Sequence, residues 1–262
     1  MKQLTLSVAL FAAACAAHPV HNNQARAPGD RGYYYPLWIN NATFTPFDAR
    51  SSDDAYIRKD LEFPLQVYGR AVTTVYAGMN GILSLSPPSS SSLTVPSDCF
   101  TNTNSQCSIG DAIVPFGRND LFMPSQSQPG QGNLWVRFAY HIPAPSYTDP
   151  HHHFMWYICD KTPQRGTISA VTPCGSATRY FSITFHKNAP GVFILEWYNF
   201  QGNDWSDANA VVRVQAGKNW GRLTPQMVVQ AGDEKGHTCV IFDTNKNSYE
   251  FSRNKKLCTL TY

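Results

Sequence analysis

Short runs of alternating apolar and polar residues, broken by Gly, Pro and Asn, recur along most of this chain. Residues 63–68 and 72–77 are rich in the aromatic and β-branched residues that favour strands. Asn80-Gly81 follows and predicts a type I′ hairpin turn, because both residues tolerate positive φ. Residues 83–86 then alternate Leu with Ser, so this region predicts three antiparallel strands.

The same pattern predicts strands along the rest of the chain, while no run of ten or more residues has the helical period. The further predicted strands are 134–140, 154–157, 181–185, 191–199, 210–214, 226–230, 238–242 and 257–262, with 33–39 as a first strand or a plug against the sheet. We therefore predict an all-β fold, an antiparallel β-sandwich of about eleven short strands with long disulfide-bonded loops.

The predicted loops are rich in polar residues, Ser and Pro. Residues 43–60 have no clean periodicity and are predicted to be a loop, and the Ser-rich stretch 87–92 is predicted to be exposed. Residues 143–178 are predicted to form a long inserted loop that decorates the sandwich.

Several of these segments resemble parts of nidogen-like (NIDO) extracellular domains. The hairpin F-P-L-x-V-Y-G followed by N-G-I-L-S carries the resemblance best, at residues 63–84. Pro115, Phe116 and Asp120 match an A-P-F-W-x-D-x-D element, although Gly117 replaces its Trp. The W-Y-N at 197–199 also matches. The resemblance covers residues 61–215 with gaps and implies a secreted, adhesive β-sandwich without catalytic activity.

The first 17 residues have the parts of an export signal. Lys2 supplies a positive charge, residues 4–14 are apolar, and small residues at 14–16 suit cleavage. The chain is therefore predicted to be secreted and extracellular. A competing interpretation makes Cys15 a lipidated cysteine, but the branched aliphatic residue expected three positions earlier is missing.

The remaining chain is predicted to contain a flexible leader, 18–32, and a single domain, 33–262. A hydrophobic content of 42% with only 15% charged residues favours a packed core over disorder. The net charge is +3 with scattered Lys and Arg, which argues against nucleic acid or another polyanion as partner. No apolar run approaches the ~20 residues of a membrane span.

Six cysteines remain beyond Cys15, an even number that suits disulfides in an exported protein. Six cysteines allow fifteen pairings, but these fall into three couples that are close in sequence. We predict the disulfides Cys99–Cys107, Cys159–Cys174 and Cys239–Cys258. Asn41 opens the one Asn-x-Thr triplet and is predicted to be a surface glycosylation site.

Two tryptophans are the candidate ligand-binding residues. Trp205 and Trp220 each lie in a polar stretch with Gly and Asn, where we predict a turn rather than a strand. An exposed indole ring could stack on the face of a sugar, while neighbouring amides bind its hydroxyl groups. The alternative is that each ring folds back as a lid on the core. Asp204 and Asp207 could also hold calcium, but two carboxylates are too few to predict a site.

Catalysis is not predicted, and the alternative rests on one glutamate. Glu196 lies within the apolar run 192–198 and could act as a general acid opposite Asp204 or Asp207. That would make the protein a carbohydrate-active enzyme. Against this, Glu196 could lie on a solvent-exposed face or pair with Arg179 or Arg213.

A metal site is also not predicted, although His151, His152 and His153 follow His141 closely. Imidazole binds transition metals, but adjacent residues of an extended chain point to opposite sides, so only His151 and His153 could share an ion. A polar loop is the favoured interpretation. The expected function is thus a secreted, non-enzymatic adhesion or binding module at a cell surface or extracellular matrix, with polysaccharide among its partners and no cofactor.

Peptide mapping without reduction tests the cysteine couples. We expect one peptide pair linking Cys159 to Cys174 and another linking Cys239 to Cys258, because closure of short loops favours local pairing. A link from Cys159 or Cys174 to Cys239 would contradict the local scheme.

Overall fold

A computed structural model describes residues 43–44, 54–102, 104–119, 121–122, 134–141, 150–159, 177–200, 210–232 and 237–252. Within these ranges the chain forms fourteen strands, arranged in two sheets, and two short helices. The strand pairs are antiparallel except for one, so the predicted class of fold is confirmed. No helix in these ranges is long and apolar enough to cross a membrane.

The larger sheet has eight strands. In spatial order it contains β1 (Thr43–Phe44), β7 (Leu134–His141), β8 (His151–Cys159), β9 (Ala177–His186), β10 (Val192–Tyr198), β13 (Thr238–Asp243) and β14 (Ser248–Phe251), with β6 (Leu121–Phe122) parallel to β7. Strands β7 to β10 are neighbours in sequence order, as expected where consecutive strands form a meander.

The smaller sheet has six strands. Their order is β12 (Asn219–Leu223), β11 (Val211–Ala216), β5 (Ala112–Gly117), β4 (Ile82–Ser84), β3 (Arg70–Gly78) and β2 (Tyr56–Val67). Helix α1 (Ser97–Thr101) lies between β4 and β5 in the chain, and α2 (Pro225–Ala231) lies between β12 and β13.

The inner faces of both sheets form one hydrophobic core. Alternate residues of each strand point inward, as the period of two requires. The core includes Val75, Ile113, Val212 and Val214 from the smaller sheet, and Phe154, Trp156, Phe181, Leu195, Trp197 and Val240 from the larger one. Two hydrogen bonds cross this core, because Trp156 Nε1 donates to the Gly78 carbonyl and Trp197 Nε1 to the Pro115 carbonyl, each at 2.9 Å.

The turns of the first hairpins differ from the prediction. Asn80 does not have positive φ, and Gly81 alone does, at 71°. The link from β3 to β4 is therefore a longer turn with one left-handed glycine rather than type I′. The two-residue turn between β2 and β3 has positive φ at both Tyr68 and Gly69, 51° and 75°.

The prediction of a strand at 226–230 was wrong, because these residues lie in α2. Thr224 caps this helix, since its side chain accepts a hydrogen bond from the Met227 backbone N–H at 3.2 Å. Pro225 occupies the first turn, where proline is well tolerated. Short apolar runs do not distinguish helix from strand by periodicity alone, but this cap and proline are helix-start signals.

Two predicted loops also contain strands. Residues 43–60 include β1 and the beginning of β2, and residues 143–178 include β8 and the beginning of β9. Within the second segment, residues 151–159 and 177–178 are therefore part of the larger sheet rather than a decoration, and the strand predicted at 154–157 is confirmed. The Ser-rich loop at 87–92 is largely exposed, as predicted. The predicted export signal, leader, strands 33–39 and 257–262, and Asn41 lie outside the described residues.

Gly81 provides a test of the packing of the β3–β4 turn against β5. A Cβ added there would collide with the Phe116 carbonyl oxygen, and the positive φ already disfavours a side chain. Gly110 has a similar φ of 75° but open space around it. We expect Gly81→Ala to lower the free energy of unfolding by at least ~3 kcal/mol and Gly110→Ala by only ~1 kcal/mol, measured by urea denaturation. Equal losses would contradict this account.

Candidate functional site

The candidate site lies on the outer face of the smaller sheet, at the hairpin of β11 and β12. Alternate residues of β11 enter the core, so Arg213 and Gln215 point to the outer face. Across the hairpin, Arg213 lies directly opposite Arg222, and Gln215 directly opposite Trp220. Four polar or aromatic side chains from two adjacent strands therefore meet on one surface.

The Cys99–Cys107 loop covers this surface. The two cysteines form the predicted disulfide, and both are buried in a second hydrophobic cluster with Val114 and Val211. Gln215 fastens the loop to the sheet, since its Oε1 accepts from the Cys107 N–H at 3.1 Å and its Nε2 donates to the Cys107 carbonyl at 2.9 Å. The Gln215 side chain therefore bonds both backbone groups of Cys107, as a neighbouring strand would, and holds the loop against β11.

The two arginines bind the same loop through its carbonyl oxygens. Nη2 of Arg213 donates to Asn102 at 3.0 Å and to Ser105 at 2.6 Å. Arg222 donates to Asn102 at 3.2 Å through Nη1 and to Phe100 at 3.2 Å through Nη2. Both guanidinium groups thus point from the sheet into the underside of the loop.

The guanidinium groups of Arg213 and Arg222 are shielded from solvent and do not contact any carboxylate of the described residues, which lowers their pKa values. Burial lowers the pKa of Arg213, the neighbouring Arg222 lowers it further, and the negative charge of Asp98 opposes both effects. Burial also lowers the pKa of Arg222. Arginine keeps its proton in proteins, so two positive charges lie side by side here. In the described part of the chain, neither guanidinium forms an ion pair with a carboxylate.

Trp220 lies in strand β12, so the prediction of a turn was wrong for this residue. Its side chain is half-buried, and the guanidinium carbon of Arg213 lies 5.4 Å from its ring centroid. A cation at this distance is attracted to the face of an indole ring. Trp220 is therefore held in place on the surface and does not fold back into the core. Trp205, the second candidate, lies outside the described residues.

Sequence reasoning missed Arg213, Gln215 and Arg222 as site residues. The alternation Val-Arg-Val-Gln in β11 indicates that Arg213 and Gln215 share one face. What it does not indicate is the loop above them, because the residues that bind Arg213 are 108 and 111 positions away in sequence.

Glu196 occupies the outer face of the larger sheet and is only 8% exposed, so the expectation of a solvent-exposed position was wrong. Its carboxylate contacts His237, at 3.4 Å from Oε1 to Nε2, rather than Arg179 or Arg213. The imidazole of His237 stacks on Tyr198, with ring centroids 4.7 Å apart. The carboxylates proposed to act with Glu196, those of Asp204 and Asp207, lie outside the described residues.

The histidine cluster is part of strand β8, so the predicted polar loop was wrong. His152 is buried and stacks on Phe63, with ring centroids 3.8 Å apart, and its Nε2 lies 3.2 Å from the Phe63 carbonyl oxygen. His153 points to the opposite face, where its Nδ1 lies 2.7 Å from Thr184 Oγ1. These contacts give His152 and His153 structural roles in two different environments.

The described side chains contain one group with metal-ligand geometry, Asp98 with Cys99 and Cys107. The two sulfur atoms already form a disulfide and are not available as thiolate ligands. Cys239 is also disulfide-bonded. The sulfur atoms of its predicted partner, Cys258, and of Cys159 and Cys174 lie outside the described side chains, so these two pairings stay predictions.

No known protein family, curated protein or solved structure matches the chain. The resemblance to nidogen-like domains therefore stays a prediction from the motifs in the sequence, and function has to be argued from the site itself.

The buried His152 predicts a pH-dependent stability. Burial lowers the pKa of His152 to about 4, although its hydrogen bond with the Phe63 backbone opposes the shift. The unfolded chain, with a histidine pKa of about 6.5, then binds a proton that the folded chain excludes. Stability should thus fall as the pH drops from about 6.5 to about 4, by ~3 kcal/mol in total from this group.

Urea denaturation across this pH range measures the effect. We expect His152→Gln to flatten the pH dependence, because glutamine carries no proton to exclude. His186→Gln, which changes a half-buried histidine of the same sheet, is the control and should leave the slope as it is. An unchanged slope in His152→Gln would show that other groups cause the acid sensitivity.

Proposed function

We propose that this protein is a secreted, non-enzymatic binding module that acts at a cell surface or in the extracellular matrix, with glycans among its ligands. The predicted export signal and cysteine couples support an extracellular location. The sandwich fold agrees with such a role, since rigid sheets can present a binding surface on an outer face. The motifs shared with nidogen-like domains point in the same direction.

The observation that carries the proposal is the fixed, half-buried position of Trp220. Strand pairing with Gln215 holds its backbone, and the Arg213 guanidinium lies over its ring. A ring that is already ordered loses little conformational freedom when a ligand stacks on it. Aromatic residues held in this way supply large contact areas in binding sites, and the polar edge of indole suits a partly hydrated ligand.

The alternative function is a carbohydrate-active enzyme that uses Glu196 with Asp204 or Asp207. The burial of Glu196 and its contact with His237 are compatible with a structural role as well as with acid catalysis. A retaining or inverting glycosidase needs a second carboxyl group about 5–10 Å away. Release of sugar from a polysaccharide distinguishes the enzyme from the binding module.

A pull-down with insoluble cell-wall polysaccharides and, in parallel, matrix proteins tests the proposal. We expect the protein to be retained without release of reducing sugars. Trp220→Ala should weaken retention at least ~tenfold, as for other buried aromatic anchors of interfaces. Tyr249→Ala removes an aromatic side chain that is 40% exposed on the larger sheet, and this control should bind normally.

Two results would contradict this proposal. One is unchanged retention of Trp220→Ala on every material that retains the unmodified protein. The other is release of reducing sugar by the unmodified protein but not by the Glu196→Gln variant, because that result would show that the protein is an enzyme. Circular dichroism of each variant confirms that a loss of retention does not reflect unfolding.

A further inference from the structure

Arg213 and Arg222 form a pair of like charges that the rest of the site does not neutralise. They lie directly opposite each other on β11 and β12, and both donate to the carbonyl oxygen of Asn102, at 3.0 and 3.2 Å. Sharing one acceptor brings the two guanidinium groups close together. Like charges directly opposite each other in a sheet are destabilising, so this arrangement is costly unless a negative charge accompanies it.

In the part of the chain that the structure describes, three nitrogen atoms of the pair have no hydrogen-bond partner. These are Nε and Nη1 of Arg213 and Nε of Arg222, all of them buried. Arg213 is 0% exposed, so these donors do not face bulk solvent. A buried polar group without a partner costs ~1–3 kcal/mol, and a charged one costs more. The structure thus has unused donors at a point where two positive charges lie side by side.

The nearby carboxylates are already occupied. Asp98 accepts hydrogen bonds from the backbone N–H and the hydroxyl group of Ser108, each at 2.8 Å. Asp111 forms an ion pair with Arg70 and accepts from the Gly217 N–H at 2.7 Å. Of these two groups, Asp98 is the one whose charge stabilises the charged form of Arg213. Among the described residues, one buried and one half-buried guanidinium group therefore lie near the Asp98 carboxylate without forming an ion pair with it, so positive charge exceeds negative charge here.

We propose that Arg213 and Arg222 together bind one oxyanion, a carboxylate or a sulfate group, under the edge of the Cys99–Cys107 loop. The oxygen atoms of the anion would accept hydrogen bonds from the unused N–H groups. Such bonds between a guanidinium group and an oxyanion are charge-assisted and therefore strong. Trp220 and Arg222 are half-buried, so the anion would approach from their exposed side. The other basic residues are scattered along the chain, which suits a site for a single anionic group rather than a surface for a polyanion.

The oxyanion has two possible sources. It is either a free inorganic ion or the charged substituent of an acidic polysaccharide that stacks on Trp220. The second source rests on the proposed function, whereas the first does not. Inorganic sulfate is the probe for a free ion. Polygalacturonate, compared with neutral cellulose, is the probe for the charged substituent of a polysaccharide.

Thermal unfolding of the full chain tests the site itself. Millimolar sodium sulfate is added at constant ionic strength, balanced with sodium chloride, so that general salt effects stay similar. A ligand that binds the folded state raises Tm, by about 4 °C at a tenfold excess over Kd for a chain of this size. We expect this rise in the unmodified protein and its loss in Arg222→Gln.

Arg58→Gln is the matched control, because it removes one positive charge from an exposed ion pair with Asp60 on the same sheet. Its response to sulfate should equal that of the unmodified protein. If Arg222→Gln does not fold, Arg222→Lys keeps the charge but loses the planar donors, and its sulfate response should be reduced. An equal rise in Tm in the unmodified protein and in whichever Arg222 variant folds would overturn the proposal, as would no rise at all.

Retention on polysaccharide then identifies the source. Binding to polygalacturonate but not to cellulose, weakened by Arg222→Gln and unaffected by Arg58→Gln, assigns the oxyanion to the glycan. A sulfate response without any retention assigns it to a free ion, and it contradicts glycan binding while supporting the anion site. The two proposals therefore fail through different measurements.

Discussion

Two indole hydrogen bonds fix the larger sheet against the smaller one. Trp156 and Trp197 are fully buried, so their N–H groups must find acceptors inside the core. They find them at the carbonyl oxygens of Gly78 and Pro115, which belong to strands of the opposite sheet. Hydrophobic contact alone would let the sheets slide over each other, but a directional bond at each of two points does not. The position of β5, and through it of β11 on the other side of that strand, depends on this arrangement.

The strands of the larger sheet show why much of the fold could be predicted. Phe181, Ile183 and Phe185 enter the core, and the residues between them point outward, so the sequence carries a clear period of two. The prediction failed where local signals were ambiguous. The histidines of β8 look like a polar loop, yet His152 is buried because its ring stacks on Phe63, from a strand of the other sheet. Such a partner is invisible to any local pattern.

The candidate site was harder to predict, for a physical reason. Trp220 could be identified as a candidate from its residue type and its polar neighbours. Its position, however, depends on Arg213, and the position of Arg213 depends on a loop more than 100 residues earlier in the chain. The disulfide between Cys99 and Cys107 was predictable because it is local. Its consequence was not, since the carbonyl groups that the closed loop directs at the arginines are set by the tertiary fold.

The outer faces of the two sheets treat buried charge in opposite ways. On the larger sheet, the buried Glu196 carboxylate contacts the His237 imidazole at 3.4 Å, although the buried hydroxyl group of Ser182 on the same face has no hydrogen-bond partner among the described residues. On the smaller sheet, Arg213 and Arg222 donate to neutral carbonyl oxygens and keep donors unused. A neutral acceptor offsets only part of the cost of burying a cation. Mutual pairing is what a structural cluster needs, whereas unpaired donors beside a fixed aromatic ring are what a ligand needs. This contrast is the physical reason for proposing a ligand site on the smaller sheet rather than on the larger one.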